Sequence, residues 1–99
     1  MNAQPVASHF VNGRPHENAT GSPIPVFSPA SGEEIARVHA ATDAVCDAAL
    51  AAAAAAQPGW AALRPVERGR VLTRAAAIIR ERGEELARLE TLDTGKPLS

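Results

Sequence analysis

The chain has 99 residues, 45% of them hydrophobic, and a formal net charge of −1. That balance excludes the clearly basic surface of a nucleic-acid-binding protein. A single cysteine, Cys46, excludes an internal disulfide and fits a reducing compartment. Much of the apolar fraction is alanine, and Phe10, Phe27 and Trp60 are the only aromatic residues. Large side chains dominate core energetics, so a core made from this chain alone is expected to be thin.

Residues 1–8 carry neither a basic region nor an apolar run, so they read as a disordered tail and not as a secretory signal. Without such a signal, Asn18-Ala19-Thr20 is not expected to be glycosylated. The first third is rich in Pro, Gly, Ser and Asn, the composition of short strands joined by turns. His9-Phe10-Val11 forms one strand. Asn12-Gly13 follows, a pair suited to the positive φ values of a tight hairpin, and residues 14–17 return with Pro15 restricting them to an edge. Residues 24–27 and 34–38 form a second hairpin around Ser28-Pro29-Ala30-Ser31-Gly32, where proline fixes φ and glycine accepts φ > 0.

The remainder is helical. Thr42 is an N-cap, with Asp43 in the first turn where a negative charge favours the helix dipole. The alanine run 51–56 propagates this helix, and Pro58-Gly59 is expected to end it. The run 48–56 is far shorter than the roughly 20 apolar residues of a membrane span. Pro65 opens the next helix, whose Val71, Leu72, Ala75, Ile78 and Ile79 make an amphipathic stripe. Gly83 breaks or kinks it. Leu86, Leu89 and Leu92 continue an apolar face, Glu84 and Arg88 form an i, i+4 pair, and Gly95 before Pro97 is a stop signal.

Few of these residues carry chemistry. Cys46 lies between Asp43 and Asp47, which disfavour a thiolate, and reads as filler. His9, His16 and His39 lack metal-binding spacing. Arg64 to Arg88 alternate with glutamates, as on a solvated helix face. Gly95-Lys96-Pro97 is not a phosphate loop, and no glycine-rich dinucleotide fingerprint is present. Asp93 stands out because a negative charge at the end of a helix opposes the dipole and calls for a cationic partner.

Three blocks in order resemble the aldehyde dehydrogenase family. They are the turn from Phe27 to Ala36 (Phe-Ser-Pro-Ala-Ser-Gly-Glu-Glu-Ile-Ala), the segment Trp60 to Leu72, and Glu90-Thr91-Leu92-Asp93-Thr94-Gly95-Lys96-Pro97. Ser28 stands where the family's hairpin usually has asparagine. The Leu-Asp-Thr-Gly-Lys-Pro wording is similar to the bacterial betaine-aldehyde type and its aminoaldehyde relatives. The resemblance covers residues 9–99 and implies an incomplete N-terminal segment of the cofactor-binding domain: two β-hairpins followed by two or three α-helices. The complete fold it implies is α/β, a Rossmann-like cofactor domain plus a catalytic domain.

The implied activity is NAD(P)-dependent oxidation of an aldehyde, betaine aldehyde to glycine betaine, by attack of a cysteine on the carbonyl, hydride transfer and glutamate-assisted hydrolysis. The catalytic cysteine and glutamate and the cofactor-binding lysine of the family match no residue here, Cys46 included. The chain alone is therefore expected to bind no NAD(P) and to be inactive. The resemblance also implies a potassium ion held by Val26, Phe27 and Asp93, for which carbonyl and carboxylate oxygens are suitable donors. It further implies a homodimer or homotetramer; the single cysteine fits the cytoplasm, and the charge balance and short apolar run argue against a nucleic-acid or membrane partner. The alternative is a non-enzymatic interaction or assembly module derived from the same family.

Overall fold

A computed structural model describes residues 2–98. The order of elements is β1 (His9–Val11), β2 (Arg14–His16), β3 (Pro23–Phe27), β4 (Glu34–His39), α1 (Asp43–Ala62), α2 (Pro65–Glu81) and α3 (Gly83–Thr94). This is the expected pair of hairpins followed by three helices.

Asn12 (φ 53°) and Gly13 (φ 76°) supply the two left-handed residues of a two-residue turn, which sets Val11 opposite Arg14 and His9 opposite His16. In the second hairpin Gly32 (φ 74°) donates to the Ser28 carbonyl at 2.8 Å. The register shifts between Val26 and Phe27: Val26 pairs with Ala36 and Phe27 with Glu34, so Ile35 is an extra residue on β4. Ile35 and Ala36 are buried, and Val45 of α1 completes the small buried apolar set.

Residues 2–8, expected to be a disordered tail, lie beside the outer edge of β4. The Ala3 amide donates to the Ile35 carbonyl at 2.8 Å, and the Gln4 side chain bonds both backbone groups of Arg37.

Thr42 caps α1 as expected, its hydroxyl accepting from the Val45 amide at 3.4 Å. The helix does not stop at Pro58-Gly59; it continues to Ala62 with Pro58 inside it. Proline removes one N–H from the ladder, but the turns around it are exposed and water can take the freed carbonyl. The alanines on either side favour propagation. At α2, Pro65 occupies the first position and the Glu67 carboxylate accepts from the Arg64 amide at 3.1 Å. Arg82 separates α2 from α3, and its guanidinium grips Glu85 with two bonds of 2.9 and 2.7 Å. Gly95 closes α3 in the left-handed conformation (φ 78°).

The radius of gyration is 16.9 Å and the principal extents are 48 × 37 × 16 Å. A closed globule of this length has a radius near 13 Å. The chain is therefore flatter and more open than a closed globule of its length. The apolar stripe of α2 lies open: Val71, Leu72 and Ile79 are exposed.

Candidate functional site

The residues singled out for a cation lie at the junction of β3 with the end of α3. Val26 is half-buried near the end of β3, and Asp93 occupies the last turn of α3. Both line one cleft of about 490 Å³, shared with Ala3, Pro5, Val38 and Thr94. Phe27 does not line it and is 55% exposed.

Local sequence explains how the two strands of chain meet. The turn at Ser28–Gly32 brings Pro29 against the helix terminus, where a Cβ on Gly95 would stand 3.2 Å from the Pro29 ring. The Thr94 hydroxyl donates to the Glu90 carbonyl at 2.8 Å and accepts from the Lys96 amide at 3.3 Å, which fixes the chain leaving α3. The last turn of α3 holds no basic residue, so Asp93 faces the negative end of the dipole uncompensated within its own helix. Among the described residues its carboxylate makes no hydrogen bond or ion pair. Two of the three expected cation residues thus share a cleft. A backbone carbonyl and a carboxylate are the kinds of donor a hard cation takes. Among the described residues no three His, Cys, Asp or Glu side chains cluster as a side-chain metal site would require.

The other reactive side chains do not converge on this cleft. Cys46 is exposed on the first turns of α1. His9 and His16 face each other across the first hairpin, a proximity invisible in their spacing along the chain. His39 instead meets Glu17, its Nδ1 standing 3.2 Å from the carboxylate.

Glu17 and the neighbouring Asn18 form a polar hub that the sequence did not announce. The Glu17 carboxylate accepts from the amides of Ser8 and Asn18 at 3.2 and 3.0 Å. The Ser8 side chain, then these two amides and the His39 ring, hold its carboxyl below the ordinary value, against a partial upward push from desolvation. Asn18 is buried; its Nδ2 donates to the Ala40 carbonyl and its Oδ1 accepts from the Thr42 amide, both at 3.0 Å. The hub ties the first hairpin to the start of α1.

The aldehyde dehydrogenase family model matches residues 16–99. The betaine aldehyde dehydrogenase of Cereibacter sphaeroides is 69% identical over 98 residues, covering 99% of this chain and 20% of the relative. That of Mesorhizobium japonicum is 58% identical over the same length, with the same coverage. The chain thus spans about one fifth of the length of the curated relatives it matches. Two solved structures align closely. One, assigned as a methylmalonate-semialdehyde dehydrogenase of Sinorhizobium meliloti complexed with NAD, gives a TM-score of 0.83 at 34% identity over 93% of this chain and 18% of that one. The other, PnpE in complex with nicotinamide adenine dinucleotide, gives 0.84 at 46% identity over 90% of this chain and 18% of that one. Among the described residues no helix is long and apolar enough to cross a membrane.

Proposed function

Because the chain belongs to the aldehyde dehydrogenase family, we propose that it is scaffold for an NAD(P)-dependent enzyme that oxidises betaine aldehyde to glycine betaine. The observation that carries this reading is the 69% identity to a betaine aldehyde dehydrogenase across 98 residues. The physical state of the chain agrees with it. An open, flattened fold with an uncovered apolar stripe is the form of one part of a larger packed body.

On this reading none of the described residues attacks the carbonyl. Cys46 is exposed on the first turns of α1 and lines none of the clefts described. On the same reading the chain by itself neither binds NAD(P) nor turns over an aldehyde, and the assembled enzyme is a cytoplasmic homodimer or homotetramer. The test is an exchange. Residues 2–98 replace the matching stretch of the Cereibacter sphaeroides enzyme, and NADH formation from betaine aldehyde is followed. The chimera is expected to work at a rate close to the parent. A folded chimera without turnover would overturn the assignment, as would turnover by the 99-residue chain alone.

Within that scaffold Asp93 and the Val26 carbonyl hold a potassium ion; Phe27, the third residue expected there, lies beside that cleft and not in its lining. The ion would supply a positive charge at the end of α3 and a link between that helix and β3. Potassium is expected to raise the thermal midpoint of the chimera more than that of its Asp93→Ala variant. Equal shifts in the two would reject the site.

A further inference from the structure

The outer edge of β4 presents four backbone groups in ladder order: the Ile35 carbonyl, the Arg37 amide, the Arg37 carbonyl and the His39 amide. Residues 3–8 satisfy all four. The Ala3 amide donates to Ile35 O at 2.8 Å. The Gln4 side-chain amide does the work of a whole strand residue: its Oε1 accepts from Arg37 N at 2.7 Å and its Nε2 donates to Arg37 O at 2.8 Å. The Ser8 hydroxyl accepts from His39 N at 2.9 Å. Only one of the four bonds comes from the backbone of the covering segment.

This covering is weaker than a true strand. Gln4 and Arg37 are exposed, so water competes for both bonds. A glutamine side chain must also be held in one rotamer to imitate a ladder. Bare edges are templates for another strand, and proteins cover them for that reason.

The edge under the strap has a symmetry of its own. Two copies of β4 laid antiparallel about Arg37 would exchange N–H···O bonds between the two Arg37 residues. They would also set each His39 amide against the Ile35 carbonyl of the other copy. These are the same four groups the strap now occupies. Arg37 would face Arg37, but each guanidinium is already neutralised by its own Glu34, 2.9 Å away. We propose that residues 3–8 are a strand-mimicking strap that seals a self-complementary edge of β4, and that this edge pairs with β4 of a second copy when the strap is lifted.

Hydrogen exchange read by NMR on the full chain tests this, with a Gln4→Ala/Ser8→Ala variant compared at dilute and concentrated protein. In dilute solution the Arg37 and His39 amides of the variant exchange at least about tenfold faster than in the parent. The Ala36 and Val38 amides, which alternate with them and face β3, stay protected and report that the hairpin is folded. Raising the concentration restores protection at Arg37 and His39 by edge pairing; association through the open helical layer would leave them fast. A Gln4→Glu variant keeps the acceptor for the Arg37 amide, which stays protected. Exchange at Arg37 and His39 that the double substitution does not change overturns the strap. Exchange that stays fast at high concentration overturns the pairing.

Discussion

Replacing Asn18 by alanine is the most direct test of how the hairpins are tied to the helices. Asn18 is 8% exposed, and its side chain is the single link between the Ala40 carbonyl and the Thr42 amide. Alanine leaves that acceptor and that donor without partners in a part-buried site, at about 1–3 kcal/mol each. The third contact, from the Thr42 hydroxyl at 3.4 Å, is long and adds little. The expected loss is about 2–6 kcal/mol, toward the lower end because both bonds are only part-buried. Asn18→Asp keeps an acceptor for Thr42 N and places a negative charge beside the N-terminus of α1, where the dipole favours it. It loses only the bond to Ala40 O, so about half the effect is expected. Urea unfolding of the chimera, followed by far-UV circular dichroism, measures both, with the slope checked for a common transition. An alanine variant within about 0.5 kcal/mol of the parent would refute the link, because an exposed, dispensable asparagine behaves that way.

Gly95→Ala forces a side chain into a left-handed residue (φ 78°) and to 3.2 Å from the Pro29 ring. A loss of about 1 kcal/mol or more is expected in the same urea assay, and unchanged stability would show that the end of α3 does not rest on the hairpin turn. For Glu17, a depressed carboxyl contributes stability that is fully present above the ordinary value near 4.5 and fades as pH falls through the lowered folded value. The unfolding midpoint is therefore expected to hold from neutral pH to about 5 and drop below about 4.5. Glu17→Gln should flatten part of that acid limb; Glu85, depressed by its hydrogen bond and charge pairing with Arg82, supplies another part. An acid limb identical in parent and Glu17→Gln would remove the carboxylate from the hub.

The elements legible in the sequence are those whose signal is local. Asn12-Gly13, Thr42, Pro65 and Gly95 each act on the backbone within a turn of themselves, and each marks the boundary it was expected to mark. Pro58 does not end α1 because the carbonyl it frees lies in an exposed turn open to water, and the alanines around it favour the helix. Asn18 and Gln4 were illegible for a different reason. Their partners lie 22 to 33 residues away, and a side chain standing in for backbone leaves no periodic trace. At the candidate cation site, the dipole argument on Asp93 was available from one helix. The cleft it shares with Val26 depends on how the hairpin folds over that helix.

The amphipathic stripe of α2 was read correctly as a pattern, yet pattern alone does not say what covers it. The accessible surface is 7407 Å², whereas a closed monomer of this size exposes roughly 5,400 Å². The difference, about 2,000 Å², is the size of a substantial protein–protein interface. Part of it is the α2 stripe, where Val71, Leu72 and Ile79 stand open; Val6, Phe10 and Leu50 are exposed as well. A helical layer needs a second layer against its apolar side, and the two small hairpins do not provide one. The 99-residue polypeptide in isolation is therefore expected to bind a hydrophobic dye such as ANS and to unfold over a broad temperature range. Placed in the chimera, the same residues should lose the dye signal and join a cooperative transition. Substituting Leu72 and Ile79 by glutamine separates the two settings. In the isolated chain the change replaces exposed apolar surface and costs little; in the chimera it buries two amides and destabilises by about 1–3 kcal/mol for each one left unpaired. Sharp, dye-free unfolding of the isolated chain would mean that these residues close a core of their own, and the argument from the open stripe to a larger body would fail.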